Sequence, residues 1–486
     1  MISFKAILAA LAASITFTQA VNLDVNNVDS IRNAARTLAF GLQSNYHNNA
    51  SGTPATAVGT LPAPLYWWEA GAVWGAMVDY WAYTGDTSYN AVITQALLAQ
   101  VGPDWNYEPP AYYTSLGNDD QAFWALAVLS AAEYDFPFPS GQKVSGWLAL
   151  AEAVWSRQMS RWNTQACGGG LKWQIFQSNK GYNYRNSISN GAFLQVSARL
   201  ARYTGDQKYV QWADKTWDWM SRIGLISPNY QVFDGTDDTI NCTEIDHTQW
   251  TYNPAMLLYA TSVMANYTNT QVWRTRTEGL LTTIENSFFS PFPNATDVMY
   301  EPACEPINTC NNDQYSFKAY LSRWMSKSAV LYPSLTDNVR KRLQTSSLAA
   351  TKSCTGGDNK QTCGQKWYVG GYDGSYGVGQ ELSALETVQS LLLLEPGVVK
   401  GRVPKTGPGV RIQNLPATST FPLTPTASAT SSSGASSSGN AGTNMAGRIS
   451  TSFTAPRKIT SLKAWLVLAM RIMLAMVVGG MVGYFL

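Results

Sequence analysis

Residues 70–81, AGAVWGAMVDYW, and residues 121–129, QAFWALAVL, are apolar on almost every side of the helix that each stretch would form. Helices that are apolar all round are buried on every side. In two later stretches, mostly apolar side chains recur at the i, i+3, i+7, i+10 spacing that places them on one face of a helix. These side chains are Phe193, Val196, Leu200 and Tyr203, then Tyr209, Trp212, Thr216 and Trp219. The two patterns predict buried inner helices and amphipathic outer helices.

A repeated turn supports this arrangement. The pattern Tyr-Thr-Gly-Asp-x-x-Tyr occurs at residues 83–89 and 203–209, each time between two helical stretches. Glycine ends one helix there, and the following Asp or Thr caps the next. Repeated helical hairpins that close in a ring form an α/α barrel. Regular strand patterning is scarce and no Gly-rich phosphate loop opens a helix, which argues against a TIM barrel or a Rossmann fold.

Composition separates the chain into segments. Residues 21–399 are continuous in composition, which predicts one all-α catalytic domain. Residues 400–449 are rich in Pro, Ser, Thr and Gly, so they cannot bury enough apolar surface to fold and are interpreted as an O-glycosylated stalk. Residues 1–20 combine a positive charge at Lys5, a short apolar core and small residues at the end, which predicts a secretory signal peptide.

The last segment, residues 450–486, is interpreted as a GPI-attachment signal that is removed from the mature protein. It ends in an apolar tail, residues 464–486, interrupted only by Arg471. Small residues, a polar spacer and a terminal apolar tail are the order that GPI attachment requires. Asn440 and Ser450 both qualify as the attachment residue, and a plain tail anchor is the alternative. The prediction is an exported protein on the outer face of the plasma membrane or in the cell wall.

Cysteines and glycosylation sequons agree with export. The chain has an even number of cysteines, which predicts disulfides in an exported protein. Short spacing favours the pairs Cys304–Cys310 and Cys354–Cys363, which leaves Cys167–Cys242. Sequons occur at Asn49, Asn241, Asn266 and Asn294 and predict surface loops.

The charge and aromatic content narrow the function classes. A formal net charge of +2 gives no basis for nucleic-acid binding, which needs concentrated positive charge. The chain contains 18 Trp and 25 Tyr. These side chains pack in cores, and they also stack on the apolar faces of sugar rings. The excess therefore points to carbohydrate as a ligand class.

The pair Asp119–Asp120 is the strongest candidate for catalysis. It follows Gly117 at the start of a predicted inner helix, where a simple capping role is the alternative interpretation. Two adjacent carboxyl groups in a partly dry site do not ionise independently, so one stays charged and the other keeps its proton. A retaining glycosidase needs such a pair, with carboxyl groups about 5–5.5 Å apart.

Several ordered motifs resemble glycoside hydrolase family 76, the endo-α-1,6-mannanases, and within it a GPI-anchored fungal cell-wall branch. The resemblance spans residues 21–395. It includes YWWEAG at 66–71, NDDQ at 118–121, GLKW at 170–173, YRNSISNG at 184–191 and HTQWTYN at 247–253.

The resemblance implies an (α/α)6 barrel with Asp119 as nucleophile and Asp120 as acid/base. It also implies action on mannan or on the mannose core of a GPI glycan, with transfer to a β-glucan acceptor beside hydrolysis. Pro254 departs from the family pattern, which puts the loop beside His247 in doubt.

Further side chains in these motifs are candidate substrate-binding groups. They are His247, Asn190, Trp68, Trp173, Trp250 and Tyr252, and about half of the four aromatic residues are expected to line the cleft. Only two histidines are present, so a zinc site built on histidine is not expected, and no metal or cofactor is predicted. The second hypothesis is a wall-anchored mannan-binding protein with little or no turnover.

Overall fold

Twelve α-helices make up most of the computed structural model, which describes residues 21–401, 403–408 and 410. The helices are α1 (Val28–Gln43), α2 (Trp67–Thr84), α3 (Asn90–Ala99), α4 (Asn118–Glu133), α5 (Trp147–Ser160), α6 (Ser187–Thr204), α7 (Gln207–Arg222), α8 (Tyr252–Thr268), α9 (Gln271–Ser287), α10 (Asn312–Leu331), α11 (Thr336–Ser353) and α12 (Val378–Leu394).

The even-numbered helices form an inner ring. They are buried along most of their length, and in α12 every residue is buried. Each contacts the next even-numbered helix, and α12 contacts α2, so the ring closes. The odd-numbered helices pack outside the ring and bury one face. The predicted all-α barrel with six helical hairpins is confirmed.

One helix lies in a different layer from the one predicted. The stretch from Phe193 to Tyr203 was assigned to an amphipathic outer helix, but it belongs to α6 in the inner ring. The polar side chains opposite Phe193 are buried because they have partners in neighbouring elements. Gln195 donates to the carbonyl of Met256 on α8, and Arg199 pairs with Glu133 on α4.

Three such ion pairs lie inside the ring, in the central and C-terminal parts of the inner helices. We call them the paired core. Lys327 Nζ lies 2.8 Å from Asp79, Arg199 Nη2 lies 2.8 Å from Glu133, and Arg323 Nη2 lies 2.7 Å from Glu386. All six side chains are buried, and the three negative charges face three positive charges.

A small antiparallel sheet lies beside the N-terminal end of α6. Its strands are β1 (Tyr184–Asn186), β2 (Gly235–Asp237) and β3 (Ile245–Asp246), in that order. Tyr184 pairs with Asp237 and Asn186 with Gly235. Tyr184 is thus opposite the last residue of β2, and its side chain extends over Gly235 to the loop that precedes β2.

The predicted disulfides Cys167–Cys242, Cys304–Cys310 and Cys354–Cys363 are all formed. Three sequon residues, Asn49, Asn241 and Asn294, are exposed. The sequon at Asn266 was predicted to lie in a surface loop, but it does not. It lies in α8, where its amide accepts from Arg202 and donates to the carbonyl of Leu331.

The chain divides into two units, residues 1–423 and 424–486, and every described residue belongs to the first. The predicted signal peptide, most of the stalk and both candidate GPI residues lie outside the described residues. Contacts with the barrel continue past residue 399. Arg202 donates to the carbonyl of Pro404, and the Lys405 amide donates to the carbonyl of Glu133. Over the described ranges, no helix has the length and hydropathy needed to cross a membrane.

Candidate active site

The N-terminal ends of several inner helices meet at one end of the ring, around a cavity of about 290 Å³. Carboxyl groups and aromatic rings dominate its lining. The acids are Asp119, Asp120, Asp234 and Asp313, and the rings are those of Trp68, Phe123, Trp173, Tyr184, Trp250, Tyr252 and Phe317. Among the described residues that line this cavity, none carries a positive charge.

Asp119 and Asp120 occupy the second and third positions of α4, after the N-cap residue Gly117. Asp120 Oδ2 accepts from the Gly117 amide at 2.6 Å, and Asp119 Oδ1 accepts from the Asp120 amide at 3.0 Å. The side chain of Asp119 is buried, whereas Asp120 is partly open to the cavity. Capping and presentation to the cavity are therefore combined in one turn of helix.

Gly117 is needed here for space. Its φ of −95° suits any residue, but a Cβ at this position would collide with an oxygen of Asp119 and lie 3.1 Å from one of Asp120. Both carboxyl groups thus approach the same point. This proximity favours the short carboxyl separation of retaining glycosidases over the roughly 6.5–9.5 Å of inverting enzymes.

Asp119 is buried and Asp120 is partly buried, and no described residue that lines the cavity offers them a positive charge, so their pKa values are raised. Burial raises the pKa of both carboxyl groups, and for Asp120 the pKa rises to about 7. The charge of Asp120 raises the pKa of Asp119 further. Because like charges this close do not both ionise readily, the pair retains a proton near neutral pH.

Two further acids, Asp313 and Glu69, were not predicted from the sequence. Asp313 lines the cavity from the first turn of α10 and accepts from Trp68 Nε1 at 3.1 Å. Glu69 is buried in the first turn of α2 and accepts from the Tyr66 amide at 2.6 Å. Burial raises the pKa of Glu69 to about 8, and the charges of Asp313 and Asp120 add to the rise. Their shared signal is an acid in the first turn of an inner helix, as in α4.

Asp234 was missed as well, because it lies in the loop just before β2. Tyr184 donates its hydroxyl to Asp234 Oδ2 at 2.8 Å, and both side chains line the cavity. Burial raises the pKa of Asp234. The pairing depends on the sheet register, which joins residues about 50 positions apart.

All four predicted aromatic residues line the cavity, more than the half that was expected. Trp68 and Trp173 flank the acids, and Trp250 and Tyr252 contact Phe317 from the start of α8. Tyr252 stacks on Phe317 with centroids 3.8 Å apart. Rings arranged in this way offer flat apolar surfaces for sugar faces.

Asn190 and His247 do not belong to the cavity, contrary to their assignment as substrate-binding residues. Asn190 is fully buried, and its amide bonds to both the N–H and the carbonyl of Leu171 and to the carbonyl of Asn186. The amide therefore holds loop and helix together. His247 is exposed and packs edge-on against Phe233 at 4.3 Å.

The start of α8 is held by a buried acid. Both oxygens of Glu301 accept from the Thr251 amide at 3.1 Å, and one also accepts from its hydroxyl at 2.6 Å. Pro254 follows in the first turn of α8, where an N–H has no intrahelical partner, so its ring does not break the helix. Trp250 and Tyr252 are thereby fixed on either side of Thr251.

This barrel, with adjacent carboxyl groups presented to an aromatic-lined cavity, defines a glycoside hydrolase. The sequence model described as Glycosyl hydrolase family 76 matches residues 30–402. The chain belongs to glycosyl hydrolase family 76, as its motifs predicted.

Similar proteins come from fungi and bacteria. The mannan endo-1,6-alpha-mannosidase DCW1 of Saccharomyces cerevisiae is 43% identical over 381 residues, which cover 78% of this chain and 83% of that protein. Dfg5 from Chaetomium thermophilum, solved in complex with glucosamine, is 40% identical with a TM-score of 0.74, covering 81% of this chain and 96% of that one. The GH76A alpha-1,6-mannanase of Salegentibacter sp. HEL1_6 shares the fold at 19% identity, with a TM-score of 0.58 over 75% of this chain and 100% of that one.

Proposed function

We propose that the protein is a retaining endo-α-1,6-mannosidase and transglycosidase that acts on mannan, or on the mannose core of a GPI glycan, in fungal cell-wall biogenesis. The observation that carries the proposal is the placement of Asp119 and Asp120 around one point of an aromatic-lined cavity. The name of the S. cerevisiae relative, mannan endo-1,6-alpha-mannosidase, supports the substrate.

In the first step, the ionised carboxylate of Asp119 attacks the anomeric carbon of a mannose unit. The protonated carboxyl of Asp120 donates its proton to the glycosidic oxygen, so the bond to the leaving sugar breaks as the bond to Asp119 forms. Burial holds one proton on the pair near neutral pH. The charge of Asp120 favours that proton on Asp119 in the free protein, so this mechanism requires the proton to be on Asp120 when the glycosidic bond breaks.

In the second step, the carboxylate of Asp120 takes a proton from an incoming hydroxyl, whose oxygen attacks the anomeric carbon and releases Asp119. Water gives hydrolysis, and a sugar hydroxyl gives transfer. A β-glucan is the proposed sugar acceptor. The two inversions leave the α configuration of the mannose unchanged.

Export and anchoring complete the proposal. The signal peptide at residues 1–20, the stalk and the GPI signal at residues 450–486 would deliver the domain to the outer face of the plasma membrane, through Asn440 or Ser450. From there the enzyme would reach both membrane-bound GPI glycans and wall glucan.

The test is to incubate the purified protein with an α-1,6-linked mannotetraose, with and without a β-glucan oligosaccharide, and to follow the products by mass and by NMR. We expect shorter mannosides that first appear as the α anomer, and acceptor-linked products when the glucan is present. A first product in the β anomer would refute the retaining mechanism.

The wall-anchored mannan-binding protein remains the second hypothesis, since an aromatic cavity binds sugar with or without turnover. Under that hypothesis the mannotetraose binds to the cavity and is recovered unchanged after long incubation. Binding measured by calorimetry alongside the product assay separates the two functions.

A further inference from the structure

Two inner helices supply the aromatic rings on one side of the active-site cavity. Trp250 and Tyr252 stand on either side of Thr251 at the start of α8, and Phe317 belongs to α10. The Tyr252 ring stacks on the Phe317 ring with centroids 3.8 Å apart, and the Trp250 ring meets Phe317 edge-on at 5.9 Å. We call these three rings the ring cluster, and all of them line the cavity. The spacing of α8 and α10 therefore determines how the rings face a sugar.

Glu301 fixes the α8 side of the ring cluster. Its side chain is fully buried, and both carboxyl oxygens accept from the Thr251 amide at 3.1 Å. Thr251, the N-cap residue of α8, also donates its hydroxyl to Glu301 at 2.6 Å. A threonine at an N-cap usually turns its oxygen towards an amide of the same helix. Here the hydroxyl binds another segment instead, so the position of Trp250 and Tyr252 depends on where Glu301 lies.

The segment that carries Glu301 is anchored to α10 one turn further on. The Glu305 amide donates to the Glu301 carbonyl at 3.0 Å, which makes residues 301–305 a single helical turn. The Glu305 carboxylate lies 2.8 Å from Lys318 Nζ, and both side chains are buried. Lys318 directly follows Phe317 in α10. The turn thus contacts α8 through Glu301 and α10 through Glu305.

A disulfide closes this turn on itself. Cys304 is bonded to Cys310, the Cys304 amide donates to the Glu301 carbonyl at 3.3 Å, and the Thr309 amide donates to the Cys304 carbonyl at 3.1 Å. A cross-link reduces the conformational freedom of the chain that it closes. Residues 301–310 are therefore a stiff link between the two helices that carry the ring cluster.

We propose that Glu301 is a positioning residue that sets the spacing of the ring cluster and thereby the affinity of the cavity for mannose units. The inference rests on the proposed function for the identity of the sugar. Glu301 is not among the residues that line the cavity, so it acts through Thr251 and the rings on either side of it. Rings that are already in place lose little conformational freedom when a sugar binds. Without this anchor the rings must be ordered during binding, and the affinity falls.

The experiment measures the binding of α-1,6-mannotetraose by calorimetry, in protein that carries Asp119→Asn so that the sugar is not consumed. Adding Glu301→Gln should weaken binding about tenfold, because an amide offers one acceptor in place of two and turns an N–H towards the Thr251 donors. Glu381→Gln is the matched control. Glu381 is also buried and accepts from a backbone amide, that of Cys363 at 3.0 Å, but it does not line the cavity. We expect this control to change the affinity less than about twofold.

Melting temperatures of the two variants separate positioning from general support of the fold. Both substitutions replace a buried acid, so both are expected to lower the melting temperature, but only Glu301→Gln should weaken sugar binding. Unchanged affinity in the folded Glu301→Gln protein would overturn the inference, and so would an equal loss of affinity in both variants. Absence of binding already in the Asp119→Asn protein would overturn the proposed substrate, and with it the sugar part of the inference.

Thr251 offers a milder pair of variants for the same hydrogen bond. Thr251→Val keeps the branched shape and removes the hydroxyl that Glu301 accepts from, whereas Thr251→Ser keeps the hydroxyl. We expect Thr251→Val to weaken mannotetraose binding about fivefold and Thr251→Ser to stay within about twofold of the parent protein. Equal affinities in Thr251→Val and Thr251→Ser would overturn the inference, because the shared bond to Glu301 would then have no effect on the rings.

Discussion

The inner ring carries two sets of acids that differ in what faces them. In the paired core, Asp79, Glu133 and Glu386 each contact Lys or Arg. At the other end, the acids of the cavity face aromatic rings and one another. Breaking a buried ion pair costs stability, whereas an acid buried without a cation holds its proton at a higher pH and is available for chemistry. The same residue types are thus structural at one end of the barrel and reactive at the other.

Removing the reactive charge should have the largest effect. Asp119→Asn is expected to lower kcat on α-1,6-mannotetraose by at least about 10³-fold, because the amide cannot form the glycosyl-enzyme. Stability should not fall, since the variant replaces a buried carboxyl that has no cation partner. Rates and urea unfolding measured on the same preparation test both parts. A variant that turns over at the native rate would exclude Asp119 as nucleophile.

The converse change lies in the paired core. Asp79→Asn should destabilise the fold by about 3–5 kcal/mol, because Lys327 would be left buried beside an uncharged group. The folded fraction should keep its kcat, since Asp79 is not among the residues that line the cavity. Chemical denaturation followed by tryptophan fluorescence measures the loss. A variant as stable as the native protein would show that the pairing contributes nothing net.

Gly117 at the active site and Gly75 beside the paired core both leave little room for a Cβ, so alanine substitutions at the two positions can be compared. Gly117→Ala should lower kcat about 100-fold, because the new methyl group would push the two catalytic carboxyl groups out of position. Gly75→Ala is the matched control. Its Cβ would lie 3.3 Å from Arg323 and 3.4 Å from Ala127, in the paired core. We expect it to shift the melting temperature while kcat stays within about twofold, and equal kinetic losses in both variants would contradict this division.

The sequence predicted the architecture and the Asp119–Asp120 pair because both are local. Apolar character all round a helix identifies inner helices, and two neighbouring acids need no long-range information. Asp234 reaches the cavity only through strand register, so no local pattern indicated it. Asp313 has the same local signal as Asp119, an acid in the first turn of an inner helix, but only ring closure brings it to the cavity. Asn190 was misassigned for the opposite reason: its motif is genuine, but its amide bonds are used within the fold.

A smaller effect is expected from the pH dependence of stability, because Glu69, an acid buried without a cation, has a raised pKa. Glu69 has an ordinary pKa near 4.5 when unfolded and about 8 when folded, so the folded protein holds the extra proton between these values. The contribution of Glu69 to the free energy of unfolding is fully present below pH 4.5 and is lost as the pH rises towards 8. The free energy of unfolding should therefore fall by at least about 1 kcal/mol more between pH 5 and 8 in the native protein than in Glu69→Gln. Parallel urea titrations at fixed ionic strength measure it, and identical slopes would show that Glu69 does not titrate in this range.

The smallest effect is expected at His247, which marks where the reactive end stops. The segment from β3 to α8 places His247 outside the cavity and Trp250 inside it, only three residues apart. His247→Ala should change kcat/KM less than about twofold, because the exposed ring contacts Phe233 and no cavity group. Trp250→Ala should lower kcat/KM at least about tenfold through the loss of a sugar-facing ring. Comparable losses in the two variants would mean that substrate extends from the cavity across the exposed β3 loop, and the boundary between reactive and structural surface would then move outward to include His247.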